Sequence, residues 1–134
     1  MIDLHTHLLP GVDDGSNTVE QSVEVLERFA EQGVTAVCCT PHLSASEAAD
    51  PPCDAIDDLL ATLRDAAPPA ISLTRGLEIM LNVPTPLLAG RCLTLAGTRY
   101  ILVEFGRLVP AGSSLEILKR VVAQGLVPVL AHPE

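Results

Sequence analysis

The feature that most constrains this chain is an alternation at its start, where Asp3, His5 and His7 stand two residues apart. Ile2, Leu4 and Leu8 around them read as an extended strand, and period-two alternation puts Asp3, His5 and His7 on one common face. Two imidazoles and a carboxylate then converge on one spot. Neutral imidazole nitrogens are the commonest ligands for zinc-like ions, and a His-x-His pair on a strand aims two of them the same way. A partly buried strand with incidental histidines is the plain alternative, and the rest of the chain decides between the two.

Beyond the turn Gly11 to Gly15, Asn17 followed by Glu20 has the spacing of a capping box, and Val19, Val23, Leu26 and Ala30 give one apolar helical stripe that Gly33 closes. The buried run Val34 to Cys39 is a strand that empties through Thr40-Pro41 into His42. Ile56, Leu59, Leu60 and Leu63 mark a second helix, and the strand Ile71 to Leu77 delivers Glu78. Ile101 to Val103 delivers Glu104, and Ser113 with Glu116 forms a second capping-box pair. The helix it opens carries Leu115, Leu118 and Val122 and closes at Gly125, before a fifth buried strand, Leu126 to Ala131, delivers His132. Buried strands alternating with amphipathic helices predict an α/β fold of about five parallel strands, in a sheet that is open or closed into a barrel. No linker, repeat or low-complexity tract divides the 134 residues, so one domain over 1–134 is expected.

The polar residues are concentrated where those strands end. His5 and His7, His42, Glu78, Glu104 and His132 follow five separate apolar strands, and all four histidines of the chain are among them. In parallel α/β folds the carboxyl ends of the strands form the functional face, so these residues are expected in one pocket. Each glutamate taken singly reads as a solvated strand exit, but five such coincidences point to one multinuclear metal centre. Nitrogen and carboxylate ligands without thiolate suit Mn, Fe or Zn. Metals set close together lower the pKa of a water toward neutrality and offset charge on phosphoryl oxygens, which predicts hydrolysis of a phosphate monoester without a covalent enzyme intermediate.

Composition removes other classes. With 8 basic against 17 acidic residues the net charge is −9, which argues against a nucleic-acid partner and against anionic lipid. No apolar run is long enough for membrane insertion, and the start lacks the basic and apolar regions of a signal peptide, so a cytoplasmic protein is expected. Cys38, Cys39, Cys53 and Cys92 form no Cys-x-x-Cys pair and read as buried thiols; none has an arginine six positions later, which removes the cysteine-nucleophile route to phosphotyrosine. There is no Gly-x-x-x-x-Gly-Lys loop.

Taken in order, Asp3-x-His5-x-His7, Gly11-Val-Asp13-Asp14-Gly15, Thr40-Pro41-His42, Gly76-Leu77-Glu78, Val103-Glu104-Phe105 and His132-Pro133-Glu134 form a recognisable set. The chain resembles the polymerase and histidinol phosphatase (PHP) superfamily, and within it the bacterial manganese-dependent tyrosine-protein phosphatases of capsular and exopolysaccharide biosynthesis. The resemblance implies a distorted (β/α) TIM-like barrel of PHP type, with up to three divalent metals, Mn2+ first among them, at its C-terminal face. It implies that His5, His7 and Glu78 hold one metal, that Glu78, Glu104 and His132 hold a second, and that Asp14 and His42 hold a third. It further implies a phosphotyrosine protein as partner, a tyrosine kinase of polysaccharide export. The alternatives are a small phosphomonoester such as histidinol phosphate, or a metal-binding fragment acting as an interaction module. The superfamily pattern continues past His-Pro-Glu with an arginine, further strands and an Asp-x-His that completes two of the sites. The expectation is therefore the N-terminal portion of that domain, with an open strand edge that favours self-association.

Overall fold

The computed structural model describes residues 1–90, 92–106 and 110–133. Among them, in chain order, are β1 (Ile2–Thr6), α1 (Val19–Glu31), β2 (Ala36–Cys39), β3 (His42–Ser44), α2 (Cys53–Ala66), β4 (Ser72–Arg75), β5 (Glu78–Met80), β6 (Tyr100–Glu104), α3 (Ala111–Ala123) and β7 (Val127–Leu130). Single 3-10 turns lie at Ala45–Glu47 and Leu95–Gly97. The fold is α/β with every strand pairing parallel, in a three-stranded sheet of order β1-β2-β4 and a four-stranded sheet of order β3-β5-β6-β7. No described helix is long and apolar enough to cross a membrane.

The chain divides into two compact units. The first comprises Met1–Pro41 with Pro52–Arg75, and the second His42–Pro51 with Gly76–Glu134. The expected strand at 34–39 is β2, which ends at Cys39 as expected, and the expected one at 71–77 is β4, which stops at Arg75; a separate short strand follows each. His42 and Glu78 accordingly begin β3 and β5 rather than trailing a longer strand. Pro41 has no N–H to give a ladder, which explains the first break.

In the first unit β2 runs between β1 and β4 with Ile2 opposite Ala36 and Ala36 opposite Ser72. Leu9, Leu26, Val37, Leu60, Leu63 and Leu73 are buried. Burying a side chain of this size contributes about 1.5–3 kcal/mol before the entropy cost of ordering it. α1 opens one residue later than the spacing at Asn17 suggested: Thr18 is the extended cap, its hydroxyl accepting from Gln21 N at 3.3 Å, while Asn17 N donates to Gln21 Oε1 at 2.9 Å. Glu20 is left in the first turn, beside the positive end of the helix. Gly33 closes it at φ +81°, as expected of a residue without a Cβ penalty. Ser22, buried on α1, donates to Leu8 O at 2.7 Å and so ties the helix to the segment that follows β1.

In the second unit the register sets His42 opposite Glu78, Glu78 opposite Leu102, and Leu102 opposite Val129. Leu77, Ile79, Leu81, Leu93, Ile101 and Val103 are buried around this sheet. α3 begins at Ala111 with Pro110 as its cap, so Ser113 does not cap it; Ser114 Oγ donates to Pro110 O at 3.3 Å and Glu116 pairs with Lys119 at 2.7 Å. The face of α3 that buries is Ile117 and Val121, whereas Leu115 and Val122 stay exposed. β7 is half-buried rather than a core strand, because it ends the strand order of its sheet. Cys38 and Cys39 are buried thiols outside any disulfide, as expected; Cys53 and Cys92 are each disulfide-bonded and so are not the thiols the sequence spacing suggested.

Candidate metal centre

In the first unit the site grows from the end of β1. A register shift between Asp3 and Thr6 places two residues of β1 against one of β2, the kind of bulge that re-aims side chains. His5 Nε2 and His7 Nε2 end 3.2 Å apart, so the two imidazoles converge as the alternation predicted. Asp3 does not join them: its Oδ1 accepts from His5 N at 3.1 Å, a local turn that outcompetes the shared face. The strand end is pinned below by two buried threonines, Thr6 N donating to Thr40 Oγ1 at 3.1 Å and Thr40 N to Thr6 O at 2.8 Å.

The loop after β1 folds back over His7. Ser16 N donates to His7 O at 3.0 Å and Gly11 N to Ser16 O at 2.8 Å. A Cβ on Gly15 would stand 2.0 Å from His7 O, so only glycine lets the loop come this close. Asp13 Oδ2 lies 2.8 Å from His7 Nδ1, and its Oδ1 accepts from Gly15 N at 3.1 Å. His7, Asp13 and Asp14 each offer a ligand atom, all within 4.8 Å of one another. Asp13 was missed as a site residue at the sequence level; its signal is its place two residues before Gly15, where an aspartate closes a turn on the backbone.

In the second unit the site grows from the start of β5. Glu78 is buried with no exposed surface, and His42, its register partner on β3, sets Nδ1 3.2 Å from Glu78 Oε2. The same Nδ1 is 3.2 Å from Glu104 Oε1 at the end of β6. His42, Glu78 and Glu104 present three ligand atoms all within 4.8 Å. His132 follows β7 in a left-handed conformation, φ +49°, and brings Nε2 to 3.4 Å from Glu78 Oε1. A non-glycine residue there costs about 1–2 kcal/mol, a strain that concentrates at functional positions. Glu134 lies outside the described residues.

The donor set fits a divalent cation. Ligand atoms held about 2.1 Å from one ion stand about 3 Å from each other, and the ring-nitrogen to carboxylate separations of 3.2 and 3.4 Å are of that size. Imidazole with carboxylate and no sulfur suits Mn, Fe or Zn.

Compared with known families, residues 1–134 match the one described as capsular polysaccharide synthesis, CpsB/CapC. The chain belongs to the CpsB/CapC family. It is 30% identical over 138 residues to the tyrosine-protein phosphatase YwqE of Bacillus subtilis (strain 168), covering 100% of this chain and 54% of that protein. It is 28% identical over 139 residues to the tyrosine-protein phosphatase CpsB of Streptococcus agalactiae serotype V, covering 100% of this chain and 57% of that one. A solved structure described under YwqE from Bacillus subtilis and CpsB from Streptococcus pneumoniae, "unique metal-dependent tyrosine phosphatases", superposes with a TM-score of 0.77 at 30% identity, over 99% of this chain and 56% of that chain. The chain thus spans a little over half the length of the CpsB/CapC relatives it matches.

Proposed function

We propose that this chain carries the metal-binding ligands of a phosphatase that hydrolyses phosphotyrosine on protein. His5, His7 and Asp14 serve as ligands from the first unit, and His42, Glu78, Glu104 and His132 from the second, for ions of which Mn2+ is our choice. The observation that carries the reading is the fully buried Glu78 with imidazole nitrogens of His42 and His132 at 3.2 and 3.4 Å, in a chain of the CpsB/CapC family. Bound divalent ions supply Lewis acidity, bringing the pKa of water toward neutrality and offsetting charge on phosphoryl oxygens. The chain's own part is to hold its ligands ready. β3, β5 and β6 fix His42, Glu78 and Glu104 on paired strands, and such rigid support keeps reacting groups in register. The Cys39 thiol takes no part: burial, and next to it the neighbouring Cys38, push it up to about 12, so it stays protonated at neutral pH and is a poor nucleophile.

In this reading the partner is a bacterial tyrosine kinase of polysaccharide export, and the site of action is the cytoplasm. The test compares a phosphotyrosine peptide with histidinol phosphate, each with added Mn2+. Turnover that chelation abolishes, that iodoacetamide leaves intact and that favours the peptide in kcat/KM is the expected result. A preference for histidinol phosphate overturns the substrate, alkylation-sensitive turnover overturns the mechanism, and Mn2+ binding with no turnover of either substrate leaves only the interaction-module reading.

A further inference from the structure

Two aspartates adjoin in the loop after β1, and the geometry separates their tasks. Asp13 is shielded, its side chain 9% exposed, whereas Asp14 is exposed. A carboxylate only accepts hydrogen bonds, so its 2.8 Å contact makes His7 Nδ1 the donor, and in the neutral ring Nε2 is then the nitrogen that carries the lone pair. That lone pair points to the place where His5 Nε2 also converges, 3.2 Å away. The second oxygen of Asp13 is fixed by Gly15 N, and Gly15 in turn sits against the His7 carbonyl where no side chain fits. We infer that Asp13 is a positioning residue, the carboxylate that sets the tautomer and angle of His7 so that its Nε2 faces the metal; this rests on the metal-centre reading above.

Carboxylates behind a ligating histidine raise its basicity and fix its orientation, and their loss weakens metal affinity about 10- to 100-fold. Asp13 and Asp14 are therefore expected to fail differently. The experiment uses the 134-residue chain stripped of ions, with Mn2+ alone as titrant and ring 15N shifts of His7 as a second readout in the ion-free state. Asp13→Ala should keep the number of Mn2+ ions bound, weaken them about 10- to 100-fold, and move the His7 ring from the Nδ1–H to the Nε2–H tautomer. Asp13→Asn keeps the size and one acceptor oxygen, so it guards against a folding defect, and it should weaken Mn2+ by less than Asp13→Ala. Asp14→Ala should instead lower the number of ions bound and leave the tautomer alone. An Asp13→Ala chain with wild-type affinity and an unchanged tautomer overturns the inference, as does loss of a whole ion in Asp13→Ala with the tautomer unchanged, which would make Asp13 a ligand. His7→Ala separates this from the underlying reading. If that change leaves Mn2+ binding intact, His7 is not a ligand and the metal centre fails at this strand; if it weakens binding while the Asp13 variants do not, only the role of Asp13 fails.

Discussion

Glu78 is the residue on which the second unit's site turns. A carboxylate removed from water carries a desolvation cost of several kcal/mol, and it is held in a folded protein by cations or by hydrogen-bond donors. Here the ring of His42 lies beside one of its oxygens and the ring of His132 beside the other. Replacing Glu78 with glutamine keeps the volume and removes the charge that draws a cation in. Glu78→Gln should therefore lose Mn2+ at elemental analysis, by about two ions if it bridges two sites, and should lower turnover about 100-fold or more, since misplaced groups lose their hold on the reacting atoms. Addition of Mn2+ should raise the Tm of the wild-type chain and leave Glu78→Gln nearly unmoved, because only binding to the folded state shifts the transition. Equal metal content in the two chains would remove Glu78 from the site. In the sequence Glu78 was singled out only as one of a set: alone it reads as a solvated strand exit, and its coincidence with His42, Glu104 and His132 at other strand ends made it a candidate. Asp13 was not legible in that way: its partner is a ring nitrogen six positions back, brought close by a loop whose path no periodicity encodes.

At the scale of elements, the sequence pattern located the three helices and β1, β2, β4, β6 and β7, and it erred where local chemistry decides between neighbouring residues. Asn17 and Thr18 are both good caps; the chain uses Thr18, because Gln21 then serves two backbone groups at once, receiving Asn17 N on its side chain and donating its own N–H to the threonine. Loss of that hydroxyl in Thr18→Ala should cost about 1 kcal/mol in denaturant unfolding, whereas Asn17→Ala should cost less than half of it. Comparable losses in both would place the cap at Asn17 after all. The apolar stripe of α3 was misread for a related reason. Leu115, Leu118 and Val122 are as apolar as Ile117 and Val121, so hydrophobicity alone could not say which side of the helix turns inward. The two extra strands were invisible because a break of two residues between strands leaves the apolar run almost unbroken, as at Gly76-Leu77 between β4 and β5.

In each of the two sheets a strand at the end of the order also carries exposed apolar side chains. β1 ends the order of one sheet and β7 ends that of the other, and each carries aliphatic side chains toward water: Ile2 is 65% and Leu4 48% exposed on β1, and Leu130 is 42% exposed on β7. On α3, Leu115 and Val122 add more than half of their surface. Strand edges with free N–H and C=O groups template pairing with another chain, and contiguous apolar surface reinforces it. The −9 net charge opposes this association, but at physiological salt the repulsion between exposed charges is screened beyond about 8 Å, while contact between aliphatic groups is not. Short-range burial therefore wins over long-range repulsion. In light scattering the 134-residue chain should show a mass above 14.1 kDa that rises with concentration and with added salt. Leu115→Glu combined with Val122→Glu should bring the mass down if α3 forms the contact, and Ile2→Thr combined with Leu4→Thr should do so if β1 does. A wild-type chain that stays at 14.1 kDa across concentration and salt would show that neither face is sticky enough to overcome its charge.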